Sequence, residues 1–232
     1  CSSAVLCTPS GKRCNIWRLP MDLRWLLTSM RSSINGMAFP GLIDEEDTWW
    51  EKDPFHILVA TVLSQRTRDL NTYHASSSLF GRFNTPQEMA AADIDELEAL
   101  VRPVGFYRAK AKAIKEIARL VVENGGVPRD IDEMTKWPMV GRKTANCVMT
   151  YAFKEPAICV DTHVHRISNR LGLVDCPTPD ETEMALRKVF PKTLWCEING
   201  TMVRFGQKIC LPRNPRCAQC PIEKECAYPD KK

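Results

Sequence analysis

Three places in this sequence bring together residue types that can do chemistry. The first is the C-terminal run CLPRNPRCAQCPIEKEC, whose thiols are spaced Cys210-x6-Cys217-x2-Cys220-x5-Cys226. Four thiolates in so short a span can hold a zinc ion or an iron-sulfur cluster, and general chemistry alone does not choose between them. The second is Trp137-Pro138-Met139-Val140-Gly141-Arg142-Lys143-Thr144, a tight turn leading into a helix. Glycine lets the backbone approach a ligand, and the first amides of a helix point outward, so this terminus is a ready phosphate site. A lone lysine here reads most simply as a phosphate contact. A nucleophilic role needs a neutral amine, which the positive helix end and Arg142 favour and a nearby carboxylate opposes. The third place is VDTHVHR, where Asp161 opens a helical run through Leu173 and is placed to cap it. His163 and His165 lie close by without further ligands, and read as helix residues or ligand contacts rather than a metal pair.

The elements that must position these groups are helices. Thr85-Pro86-x-Glu88, Asp93-x-x-Glu96, Asp130-x-x-Glu133 and Thr178-Pro179-x-Glu181 each set an acceptor before an acidic third residue, which marks four helix starts. From Tyr107 to Glu123 the apolar residues Ala113, Ile114, Ile117, Leu120 and Val121 form one stripe, and Gly125-Gly126 ends it. The expected fold class is therefore all-α. Arg102-Pro103-Val104-Gly105 is a second helix-to-helix turn, weakly similar to the one before Lys143. The only strand-like run, Ala157 to Val160, is too short to found a sheet. Residues 1–22 lack helical periodicity and read as an extension outside the fold or a misplaced start, with Met21 a plausible true beginning.

Composition narrows the class of protein without naming it. The 232 residues suffice for one large domain or two small ones, and the longest apolar runs fall short of a membrane crossing. The formal charge is +4, with Lys12, Arg13 and Arg18 contributing from the N-terminal stretch, so any DNA affinity must come from local arrangement of cations. Eleven cysteines cannot all pair within one chain; Cys147, Cys159, Cys176 and Cys196 read as inert thiols, and the whole suggests a reducing compartment with a metal site.

At VGRKTANCVM the sequence resembles the helix-hairpin-helix of the DNA glycosylase superfamily, whose motif is close to LPGVGRKTAN, with the match running from Pro138 to Asn146. The C-x6-C-x2-C-x5-C spacing is similar to that of the 4Fe-4S cluster in endonuclease III-like and adenine-mismatch glycosylases, in the same place relative to the hairpin. Together these resemble the endonuclease III family over roughly residues 24 to 228. The resemblance implies two helical domains, 45–155 with the hairpin and 23–44 plus 156–232 with the C-terminal cluster loop. It implies catalysis by Lys143, which attacks the sugar, and Asp161, a cluster on Cys210, Cys217, Cys220 and Cys226, and DNA contacts from Val140, Gly141, Arg142 and Thr144. Arg213 and Arg216, inside the loop that Cys210 and Cys217 would close, add cations for phosphates. Met139 stands where the family has the first glycine of its hairpin, and is strained if the position requires positive φ.

The segment PFHILVATVLSQRTRD is similar to the family's PFELLIAVLLSAQTTD-type helix and loop. Ungapped, the family's gap-filling glutamine falls on Arg66, with Gln65 one residue earlier, and Phe106 matches the apolar wedge on the other side of the lesion. The resemblance thus implies a bifunctional glycosylase and AP lyase of base excision repair, a monomer acting inside the cell on double-stranded DNA with damaged bases, oxidised pyrimidines foremost, or abasic sites. An adenine-mismatch enzyme would carry glutamate at Thr61 and lack the lysine. A thymine or uracil mismatch glycosylase and a non-catalytic DNA-binding or redox-sensing iron-sulfur protein are the alternatives; the latter predicts loss of Lys143 or Asp161, and both are present.

Overall fold

The computed structural model describes residues 22–37 and 53–231, and the backbone alone of 4–7 and 13–16. The readings of Met21, Lys12 and Arg18 fall outside the described residues. The chain divides into two compact units, one holding residues 53–155 and the other the described residues before 38 together with 156–231. The split unit begins with β1 (Ala4–Cys7), β2 (Arg13–Ile16) and α1 (Leu23–Ser33). The contiguous unit holds α2 (Pro54–Ser64), α3 (Asp69–Arg82), α4 (Pro86–Ala91), α5 (Ile94–Leu100), α6 (Tyr107–Asn124), α7 (Ile131–Met134) and α8 (Arg142–Tyr151). The split unit resumes with α9 (Thr162–Arg170), β3 (Val174–Asp175), α10 (Pro179–Val189) and α11 (Trp195–Lys208). The fold is all-α with one small sheet, and no described helix is long and apolar enough to cross a membrane.

Local chemistry explains where the helices start and which face they bury. All four expected caps form. Thr85 and Glu88 make the full reciprocal box, while Asp93, Asp130 and Thr178 each accept a backbone amide of their helix's first turn. Asp53 caps α2, whose Pro54 stands at the first helical position. This helix is apolar almost all round, burying Phe55, Ile57, Leu58, Val59, Val62 and Leu63, and it packs against α3, α6 and α8 as the centre of its unit. Each such side chain contributes roughly 1.5–3 kcal/mol on burial. On α6 the stripe of Ala113, Ile114, Ile117 and Val121 is buried, Leu120 is half-buried at its edge, and Gly125 ends the helix at φ +69°. In the split unit α11 packs against α1 and α9.

Residues 157–160, the run too short to found a sheet, are buried and form no strand, and the Cys159 carbonyl accepts from Asn199 Nδ2 at 2.9 Å. Two expectations from the sequence give way to the structure. The stretch read as an extension outside the fold contributes β1 and β2, which pair antiparallel, and β2 in turn pairs with β3 through Asn15 with Asp175 and Ile16 with Val174. Two four-residue runs separated by Thr8, Pro9, Ser10, Gly11 and Lys12 carry a hairpin signal that a search for helical periodicity passes over. Cys176, directly after β3, is disulfide-bonded, which departs from the reduced state expected for the scattered cysteines; Cys147 and Cys159 are buried thiols and Cys196 a half-buried one.

Candidate active site

Lys143 stands on the first turn of α8, immediately after the turn that ends at Gly141. Trp137 and Val140 are buried and pin this turn from beneath, and the Val140 amide closes onto the Trp137 carbonyl at 3.2 Å. Gly141 is the N-cap and α8 has no capping side chain, so the helix's first amides are directed along the axis toward an incoming anion. The half-buried Lys143 lines an open hollow together with Gln65, Gly141 and Thr144. Val140 and Thr144 are buried, which leaves their backbone, rather than their side chains, to meet a phosphate. Arg142 is half-buried, 3.6 Å from Asp132. Met139 adopts φ +58°, the left-handed conformation that the missing glycine foreshadowed, at a cost of about 1–2 kcal/mol to a residue with a Cβ.

The loop after α2 faces the same hollow. Gln65 Nε2 donates to the Met139 carbonyl at 2.8 Å and to Thr144 Oγ1 at 3.3 Å, so its amide is tied to the hairpin. Arg66 is exposed at φ +50°, and its guanidinium carbon lies 5.9 Å from the ring centre of Phe106. Phe106, at φ +57° and 64% exposed, follows the Pro103-Val104-Gly105 turn between α5 and α6. The two turns differ in backbone detail: the left-handed residue precedes Val140-Gly141 in one, at Met139, and follows Val104-Gly105 in the other, at Phe106.

In the split unit, Asp161 is the N-cap of α9, and its Oδ1 accepts from the amides of His163 and Val164 at 2.9 and 2.8 Å. The cap uses Oδ1 alone. His165 Nδ1 lies 2.7 Å from Thr182 Oγ1, and burial holds its pKa below the ordinary value; His163 Nδ1 faces Arg166 at 3.1 Å.

Cys210, Cys217, Cys220 and Cys226 line one small cavity, walled by Phe205, Ile209 and Ile222 and partly open to solvent. Burial pushes the Cys220 thiol up to about 11 and raises that of Cys226. Such sulfurs are neutral thiols until a cationic centre replaces their protons, so the donor set fits a thiolate-bound group. Among the described residues no set of three His, Cys, Asp or Glu side chains is drawn around a single ion position. Two arginines that the sequence did not single out hold this region: Arg170 donates to Cys210 Sγ at 3.4 Å and to the carbonyls of Leu211 and Pro212, and Arg166 donates to the Cys210 carbonyl at 2.8 Å. Their four-residue spacing on α9, in RISNR, was the available signal. Arg213 and Arg216 are both exposed.

Comparison with known proteins follows the same lines. The HhH-GPD superfamily base excision DNA repair protein family matches residues 59–192. Endonuclease III of Thermotoga maritima is 54% identical over 180 residues, spanning 77% of this chain and 84% of that protein; that of Bacillus subtilis is 40% identical over 179, spanning 75% and 81%. A trapped covalent intermediate of endonuclease III with DNA matches with a TM-score of 0.75 at 37% identity, covering 88% of this chain and 93% of that one. A thermostable thymine-DNA glycosylase matches with the same TM-score at 25% identity, covering 90% and 97%.

Proposed function

The chain belongs to the endonuclease III family within the HhH-GPD superfamily of base excision DNA repair proteins, and from that premise we propose that it excises damaged, foremost oxidised, pyrimidines from double-stranded DNA and cleaves the strand at the resulting abasic site. The observation that carries this reading is Lys143 on the uncapped first turn of α8, beside Gly141 and lining one hollow with Gln65. The helix end and the Gly141 backbone receive the phosphates, which brings the sugar within reach of the amine.

Neutral Lys143 Nζ attacks C1′ and the base departs with the electrons of the glycosidic bond, taking up a proton. The adduct opens to a protonated Schiff base, loss of a C2′ proton then expels the 3′ phosphate, and hydrolysis frees the lysine. Asp161, held at the start of α9, stabilises positive charge developing on the sugar and aids deprotonation of the amine. Arg66 fills the gap left by the flipped nucleotide, since Gln65 is engaged by the hairpin while Arg66 is exposed beside Phe106. Cys210, Cys217, Cys220 and Cys226 would hold a 4Fe-4S cluster, whose chemistry here is structural: it fixes the loop that carries Arg213 and Arg216. The enzyme works as a monomer inside the cell.

Borohydride should trap a covalent complex between the protein and a duplex carrying an abasic site, and Lys143→Gln should abolish trapping while leaving binding in place. Trapping that survives in that variant moves the nucleophile elsewhere. A second reading, a thymine or uracil mismatch glycosylase, is favoured by the arginine in the gap-filling loop. Parallel single-turnover assays on duplexes with thymine glycol and with uracil or thymine opposite guanine decide between the two.

A further inference from the structure

Lys110 is the only lysine or arginine among the described residues that is fully buried, with 0% of its surface exposed. It sits on α6 on the same face as Ala113, Ile114 and Ile117, and among the described residues it has no carboxylate partner. Its ammonium donates to the carbonyls of Leu63 at 2.7 Å and Gln65 at 2.6 Å and to Thr67 Oγ1 at 3.0 Å. Three donors meet three acceptors, and each acceptor belongs to the C-terminal end of α2 or the loop after it, where helix carbonyls lack amide partners and a cation is favoured. Burial lowers the Lys110 pKa to about 8, so near neutral pH the ammonium form, with all three donors, still predominates.

Thr67 closes the network. Its hydroxyl donates to the Gln65 carbonyl at 3.1 Å while its oxygen accepts from Lys110 and from the Gly105 amide at 3.2 Å. A Cβ on Gly105 would stand 3.0 Å from the Arg66 carbonyl, so the loop backbone and the turn before α6 are packed against each other at close range. Arg66 and Phe106 branch from these two backbones, both at positive φ and both exposed. Neither is held by burial of its own side chain, and left-handed backbone in residues with a Cβ persists only where its surroundings over-determine it.

We infer that Lys110, acting with Thr67, is a positioning residue for damage recognition: it locks the loop of Gln65 and Arg66 to the turn of Phe106, so that the two exposed side chains enter the duplex as one preformed unit. The inference rests on the proposed entry of Arg66 and Phe106 into DNA. A preformed pair avoids the ordering cost that a flexible loop would incur on binding, and that cost falls only on DNA whose stack is actually entered. The network therefore contributes to discrimination between damaged and intact duplex and not to general phosphate binding.

The test uses the full chain with its cluster, a duplex with a tetrahydrofuran abasic-site analogue and 2-aminopurine opposite it, and the matching intact duplex. Lys110→Met removes the donors at similar length, and Thr67→Val breaks the same network without touching the buried lysine. Both should lose about tenfold or more in affinity for the abasic duplex, with blunted 2-aminopurine response, unchanged affinity for intact DNA and an unchanged trapping rate on saturated enzyme with a natural abasic site. Lys110→Arg, which keeps charge and donors, should recover part of the discrimination. An equal loss on both duplexes, or no loss on either, overturns the proposal; if Lys110→Met does not fold, Thr67→Val decides alone by the same criterion. A wild-type protein that binds both duplexes equally also overturns it. Absence of borohydride trapping with discrimination intact overturns the lysine chemistry and leaves this inference standing.

Discussion

Asp161 is a helix cap in the structure and a catalytic charge in the proposed reaction, and one substitution separates the two roles. Its Oδ1 takes two amides of α9, a role that the oxygen of an amide side chain fills nearly as well. Asp161→Asn should therefore change unfolding stability by no more than about 1 kcal/mol, while single-turnover excision falls by a factor on the order of 100 or more. Denaturant unfolding and quenched-flow excision on the same preparation check both halves, and an unchanged rate would reduce the residue to a cap. Asp161, Lys143 and the four cysteines could be singled out as candidates because each lies in a local pattern: a cap, a hairpin, a ligand spacing. Lys110 was not. In the sequence it is one charge among Arg108, Lys112 and Lys115 on an amphipathic helix, ordinarily a solvated position. Only the packing of α2 on α6 brings the carbonyls of Leu63 and Gln65 over it. Its place three and four residues before Ala113 and Ile114, on the apolar stripe, was the one available sign.

At the scale of elements, the helix starts and the stripe of α6 could be read because capping and periodicity act over a few residues. The small sheet could not, since β3 is two residues long and owes its existence to pairing with a strand far away in sequence. The hairpin lies between these cases: the substitution at Met139 was visible, and the structure adds that its backbone keeps the left-handed conformation a glycine would adopt freely. The Met139 side chain is 37% exposed, so removing it leaves no cavity, and the carbonyl that receives Gln65 is retained. Met139→Gly should then relieve backbone strain, offset in part by the greater freedom of glycine in the unfolded chain, for a net gain of up to about 1 kcal/mol. Equilibrium unfolding at fixed cluster content reads this directly. A loss of stability would show that the methionine side chain contributes more than its exposure implies.

Across the whole molecule, a formal charge of +4 spread over 232 residues is too small to draw DNA by itself. Affinity has to come from cations held in register with phosphates, and Arg213 and Arg216 are candidates because both are exposed on the segment that joins Cys210 to Cys217. The Arg216 amide is anchored to the Ile209 carbonyl at 2.9 Å, and Pro215 is buried beneath the segment, so only its outer side chains are left to meet DNA. Anaerobically purified protein should contain about four irons per chain, and stoichiometric zinc without iron would overturn the cluster assignment. With the cluster in place, Arg213→Ala combined with Arg216→Ala should weaken binding to damaged and intact duplex alike. Each neutralised phosphate contributes roughly 0.9 to the slope of log affinity against log salt, so the double variant should flatten that slope by up to about 2. Single-turnover excision by saturated enzyme should stay within about twofold of wild type, because an interaction with phosphate that is equally strong in the ground and transition states leaves the chemical step unchanged when it is removed. A fall in that rate matching the fall in affinity would instead mean that the cluster loop sets the geometry of the reacting sugar.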